Sequence, residues 1–199
     1  MGPCSGVTVS LMVPVQAAET EYPVERRAVG AAPASIATLV PAGAELFSVI
    51  LDRAGQTYLR ANALDGAASS LSTLRFARPE FHLRQYVPPD TVAHALYYHH
   101  DAHGKKVLGL FDAAQVGGEN VRARLPLERI GALHAALQHD LALQRQDVVF
   151  HWSGREDVCV RTACEGSGAF ECREILRLPG SLDKENPAVL WRLKREREA

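Results

Sequence analysis

A chain of 199 residues with 47% apolar side chains and a formal net charge of −1 can bury a core without disulfide or metal staples. Near-neutrality excludes the strongly basic face that electrostatic nucleic-acid binding needs, and no window approaches the roughly 20 apolar residues of a transmembrane helix. Four cysteines are too few for a disulfide scaffold, whereas the eight histidines fall in clusters.

The first seventeen residues read as a signal peptide. Val7–Val15 is a short apolar run, and Val15-Gln16-Ala17 places small residues last and third-last before Ala18-Glu19. Export to the periplasm or extracellular space follows. The run has no Lys or Arg before it, so the competing expectation is a polar tail on a cytoplasmic protein. Residues 18–35, interrupted by Pro23, Gly30 and Pro33, read as an extended arm or linker. Residues 36–180 read as one domain, and 181–199 as a tail with a short helix from about Pro187.

Ser35–Val40 and Glu45–Leu51 are expected strands, divided by Pro41-Ala42-Gly43. Asp52-Arg53-Ala54-Gly55 is turn chemistry, and Gln56–Arg60 returns as the second arm of a hairpin. Phe81–Val87 alternates, with Phe81, Leu83 and Val87 on one face and His82, Arg84 and Tyr86 on the other. Asp90 after Pro88-Pro89 has the chemistry of a helix cap, and Gly104 that of a left-handed stop. A helix is therefore expected over about 91–103.

Val107–Phe111 reads as a buried central strand, and Glu119–Leu125 alternates with Arg122 and Arg124 outward. Pro126 to about Arg145 is the second expected helix, with Ile130, Leu133, Leu137 and Leu141 as its apolar stripe. Strands are expected over Asp147–Trp152, Asp157–Thr162 and Phe170–Leu178. Short connections favour an α+β layout, a mainly antiparallel sheet with both helices (about 91–103 and 126–145) on one face.

Four groups could carry chemistry. His99 and His103 stand four apart and would share a helix face, a spacing that can hold zinc; the alternative is a solvated last helical turn. His134 and His139 are five apart and diverge by about 140° on a helix. His82, Arg84 and His151 could share one polar sheet face suited to an anion or to acid–base chemistry on a phosphodiester. Cys164 and Cys172 flank a turn-rich loop and are the expected disulfide, with Cys159 as the rival partner of Cys172.

No phosphate loop, nucleophile elbow or zinc-protease helix is present. The resulting expectation is an exported, non-enzymatic domain that binds a protein or small molecule without cofactor. The alternatives are a His-dependent hydrolase, with zinc or without, and a secreted effector or toxin.

Overall fold

The computed structural model describes residues 20–30, 32–64, 74–76, 83, 86–137, 147–166, 170–183 and 185–194. Its elements in chain order are β1 (Val24–Arg26), β2 (Ile36–Pro41), β3 (Glu45–Leu51), β4 (Thr57–Asn62), β5 (Leu74–Phe76), β6 (Thr91–His100), β7 (Lys105–Val116), β8 (Glu119–Asn120), α1 (Pro126–Ala136), β9 (Val148–Phe150), β10 (Ser153–Arg155), α2 (Glu156–Glu165), β11 (Cys172–Arg177) and β12 (Ala188–Arg192). This is an α+β fold dominated by sheet. No helix of the described residues is long and apolar enough to cross a membrane.

The strands form two sheets. One runs β1-β12-β11-β2-β10, the other β5-β4-β3-β6-β7-β8, with β9 parallel to β7. Side-chain alternation then builds three apolar layers. Val40, Leu176, Ala188 and Leu190 of the first sheet meet Leu46, Ile50, Leu96, Val107 and Phe111 of the second in one inter-sheet core. The opposite face of the first sheet, with Ala37, Leu39, Ile175, Val189 and Trp191, packs under Cys159 of α2. The opposite face of the second, with Phe47, Val49, Ala93, Ala95 and Leu110, receives Leu133 of α1. The helices therefore lie on different sheets, not on one face as expected.

The β3–β4 hairpin forms as the turn chemistry implies, with Gly55 at φ +81°. The expected helix over 91–103 is instead strand β6 and a turn. Asp90 caps nothing: it takes a positive φ of 62°, and its carboxylate accepts from Gln115 and Arg53. Both faces of β6 are buried, Val92, Leu96 and Tyr98 toward one core and Ala93 and Ala95 toward the other. A strand covered on both sides shows no polar alternation.

Other segments differ as well. Asp157–Thr162 lies within α2, and the tail segment from Pro187 is strand β12, paired with β1 and β11. Helix α1 starts at Pro126 as expected, with the Leu125 amide donating to Glu128, but ends at Ala136; Leu137 is extended. Leu141 and the rest of 138–146 lie outside the described residues. Of the expected strand 81–87 only Leu83, Tyr86 and Val87 are described, and the amides of Tyr86 and Val87 both donate to the Leu83 carbonyl instead of to a neighbouring strand. Of the expected strand 119–125, Glu119 and Asn120 pair with β7 and the Val121 amide donates to the Ala114 carbonyl of the same strand.

Candidate functional site

His151 of the expected polar face is buried between the sheets. Its Nε2 lies 2.7 Å from the Leu39 carbonyl oxygen, which can only accept, so that nitrogen carries the proton. Nδ1 is then the acceptor for the Tyr98 hydroxyl at 2.9 Å. Gly109 makes the approach possible, because a Cβ there would stand 2.8 Å from the His151 Cβ. Burial pulls the imidazole down from 6.5 to about 4, against the Leu39 carbonyl, with His100 adding to the shift. Both ring nitrogens are used, so His151 joins strand β2 to strand β6. His82 and Arg84 lie outside the described residues. Trp152, the last residue of the expected strand 147–152, is 47% exposed.

A second polar group fills the inner face of the β4-β3-β6-β7 sheet. Asp112 is gripped by Arg129 of α1, Nε to Oδ1 at 2.9 Å and Nη2 to Oδ2 at 3.1 Å, and also accepts from the Tyr22 hydroxyl and the Ala113 amide. Burial pushes the Asp112 carboxyl upward, and Arg129 and the other donors hold it back. The remaining Arg129 hydrogens go to the carbonyls of Arg124, Pro179 and Gly180.

Beside this pair, Asn62 donates to Ser48 Oγ at 3.0 Å, and Ser48 Oγ stands 3.0 Å from His94 Nδ1. Ser48 Oγ thus bridges Asn62 and His94 Nδ1, and the other ring nitrogen of His94 is Nε2. Among the described residues that nitrogen has no partner. A serine–histidine contact is the first requirement of a nucleophilic hydrolase. Here both residues are 0% exposed, and His94 is pulled down to about 3 by burial, then by the charges of Arg129 and Arg122. A neutral, sealed imidazole of this kind orders the core.

His99 and His103 do not share a helix face, because the helix is absent. They sit where β6 turns into β7; His99 is exposed, 3.7 Å from Asp101. The rings that meet are His100 and His103, 4.6 Å apart and edge-on. No group of three His, Cys, Asp or Glu side chains that could hold a metal occurs among the described residues. Exposed His134 lies edge-on to Phe150, and His139 is outside the described residues.

The expected disulfide is not formed: Cys159, Cys164 and Cys172 are free thiols. The reason is α2. The helix turns Cys159 inward, where its thiol donates to the Ala37 carbonyl, and leaves Cys164 exposed at its far end. Cys172 instead donates to the Glu174 carbonyl.

A cleft that no sequence motif marks lies at one end of the sandwich. It holds about 310 Å³ and is lined by Val40–Ala44, Leu64, Glu171, Arg173, Glu174 and Arg192. Glu174 and Arg192 are register partners on β11 and β12. Their side chains share the inner face with Leu176 and Leu190, opposite Ala44 and Leu64. Glu171 pairs with Arg173 and Glu174 with Arg26, while Arg192 has no hydrogen-bond or ion-pair partner among the described residues. No motif marks Arg129 either, although it stands four residues before Leu133 on the stripe that α1 buries. The signal for Arg192 was hidden by a run of mixed charges at the C-terminus.

No protein-family model matches this chain, and no curated protein is similar to it.

Proposed function

We propose that this chain is an exported, non-catalytic binding domain whose cleft between the sheets takes a ligand with a carboxylate, either a small molecule or an acidic side chain of a partner protein. The carrying observation is the charge balance of the cleft. Two carboxylates are matched by Arg173 and Arg26, which leaves the guanidinium of Arg192 as the unmatched charge at an apolar wall. A guanidinium recognises a carboxylate through two parallel hydrogen bonds. Apolar lining with a few placed polar groups is the usual make-up of a ligand site.

Support against the hydrolase reading comes from the histidines. His151 spends both ring nitrogens on the fold, and Ser48–His94 is sealed from solvent. The test is an amide-shift titration by nuclear magnetic resonance with citrate, glutarate and an acetylated Asp-Glu dipeptide. Shifts at residues 40, 42–44, 64, 174 and 192 are expected for at least one probe. Silence at these positions with all three contradicts the proposal.

A further inference from the structure

Residues 20–27 are read position by position by the rest of the chain. Arg60 donates to the Thr20 hydroxyl at 2.6 Å and to the Glu21 carboxylate at 2.7 Å. The Tyr22 amide donates to Asn62 Oδ1 at 3.1 Å. The Tyr22 ring lies 4.5 Å from the His94 ring and edge-on to Phe111 at 5.5 Å, and its hydroxyl reaches Asp112. The Pro23 carbonyl accepts from Ala188, β1 runs parallel to β12, and the Arg27 amide donates to the Leu190 carbonyl.

Two of the receiving groups, Asp112 and Asn62, are also held by residues outside the arm. Asp112 is fixed by Arg129, whose other hydrogens bond three backbone carbonyls, and Asn62 is fixed by Ser48. The receiving strands β4, β6, β7 and β12 each pair with strands other than β1. A pre-ordered socket with an aromatic seat, an acceptor at its floor and a strand edge beside it is how proteins bind extended peptides by strand addition. A second observation points the same way. His94, against the seated tyrosine ring, keeps a buried ring nitrogen, Nε2, without a partner among the described residues, so the arm does not exhaust what the socket offers.

We infer that this socket is a peptide-recognition site, filled here by the chain's own arm. In trans it takes an extended segment of the same chemistry: a carboxylate, then tyrosine, then proline, as supplied by the arm of a second copy. The cis arm is then a built-in competitor that sets the threshold for exchange. This site is separate from the cleft around Arg192, so failure of one leaves the other standing.

The test uses the full chain carrying Tyr22→Ala, which empties the seat, and a fluorescent peptide Thr-Glu-Tyr-Pro-Val-Glu-Arg-Arg read by anisotropy. The variant is expected to bind at least about ten-fold more tightly than wild type, whose arm competes. The same peptide with phenylalanine for tyrosine should lose about ten-fold or more, the worth of a hydrogen bond to a charged group. A folded variant that binds the peptide no better than wild type overturns the inference.

If circular dichroism shows that Tyr22→Ala does not fold, Tyr22→Phe is examined by hydrogen exchange. The amides of Tyr22 and Val24–Arg27 should then exchange about ten-fold faster with β6 and β7 unchanged. An equal rise in arm and sheets overturns the inference, because the arm would be inseparable from the core.

Discussion

Arg129 and Asp112 form a two-pronged ion pair with both side chains fully shielded from water. It ties α1 to β7. A buried pair of this kind adds little relative to an apolar replacement, but loss of one partner strands the other. Arg129→Ala would leave the Asp112 carboxylate and the carbonyls of Arg124, Pro179 and Gly180 without their donor. A loss of about 3–5 kcal/mol is expected in urea unfolding. A loss under about 1 kcal/mol would mean that the pair is exposed or replaced.

Acid should destabilise the fold from near pH 6.5 downward. Burial holds His94 at about 3 and His151 at about 4 in the folded chain. The unfolded chain takes up both protons below about 6.5, so between that value and the folded pKa the unfolded state binds more protons. Stability is thus complete above pH 6.5 and falls as pH drops. At pH 5 each imidazole costs about 2 kcal/mol. Urea midpoints at pH 7 and pH 5 measure this; equal midpoints would show that the two rings are reachable by solvent.

The thiols should react in a fixed order. Cys164 is exposed, whereas burial, with Glu156, Cys172 and Asp157 adding to it, pushes Cys159 up to about 12 against the Gly154 amide. Burial raises Cys172 as well. At pH 8 the Cys159 thiolate fraction is about one in ten thousand. Iodoacetamide labelling followed by peptide mapping should find Cys164 modified well before the other two. Early labelling of Cys159 would contradict the packing of α2 against β2.

The α1 stripe separates into strong and weak positions. Leu133 is 0% exposed within the outer core, while Leu137 is half-buried where the helix ends. Leu133→Ala should cost about 2–5 kcal/mol, the range for a fully buried truncation, and Leu137→Ala clearly less. Equal losses would place both on a continuous helix.

Much of the fold was legible where one physical signal dominated. Turn chemistry located the β3–β4 hairpin, Pro126 the start of α1, and the run Val107–Phe111 the strand β7. The misread segments are those where two signals conflict. Strand β6 offered an apparent cap at Asp90 and stop at Gly104, but Asp90 is a turn residue that meets Gln115. In α2 the β-branched Val158, Val160 and Thr162 suggested a strand, although its wholly buried side chains are Glu156 and Cys159. Glu156 is drawn inward by Arg177 and Trp191, partners far along the chain.

The candidate sites were less legible for the same reason. The cleft joins β2, β11 and β12, and the socket joins the arm to β4, β6 and β7, associations that only strand order reveals. His94, His151 and Tyr98 belong to the polar interior of the sandwich, but no sequence signal singled out His94 or placed His151 there, and the expected His99–His103 pair depended on a helix that is absent.

The most direct measurement for the binding reading is calorimetric titration of the full chain with citrate, glutarate and the acetylated Asp-Glu dipeptide, beside Arg192→Glu. Arg192 is exposed and not engaged by other described side chains, so charge reversal there, opposite Glu174 on the neighbouring strand, should cost no more than about 1 kcal/mol. Saturable heat is expected with at least one probe, weakened at least about ten-fold by Arg192→Glu. Saturable binding that is unchanged in the folded Arg192→Glu chain, or no binding by wild type to any of the three, would contradict the binding reading.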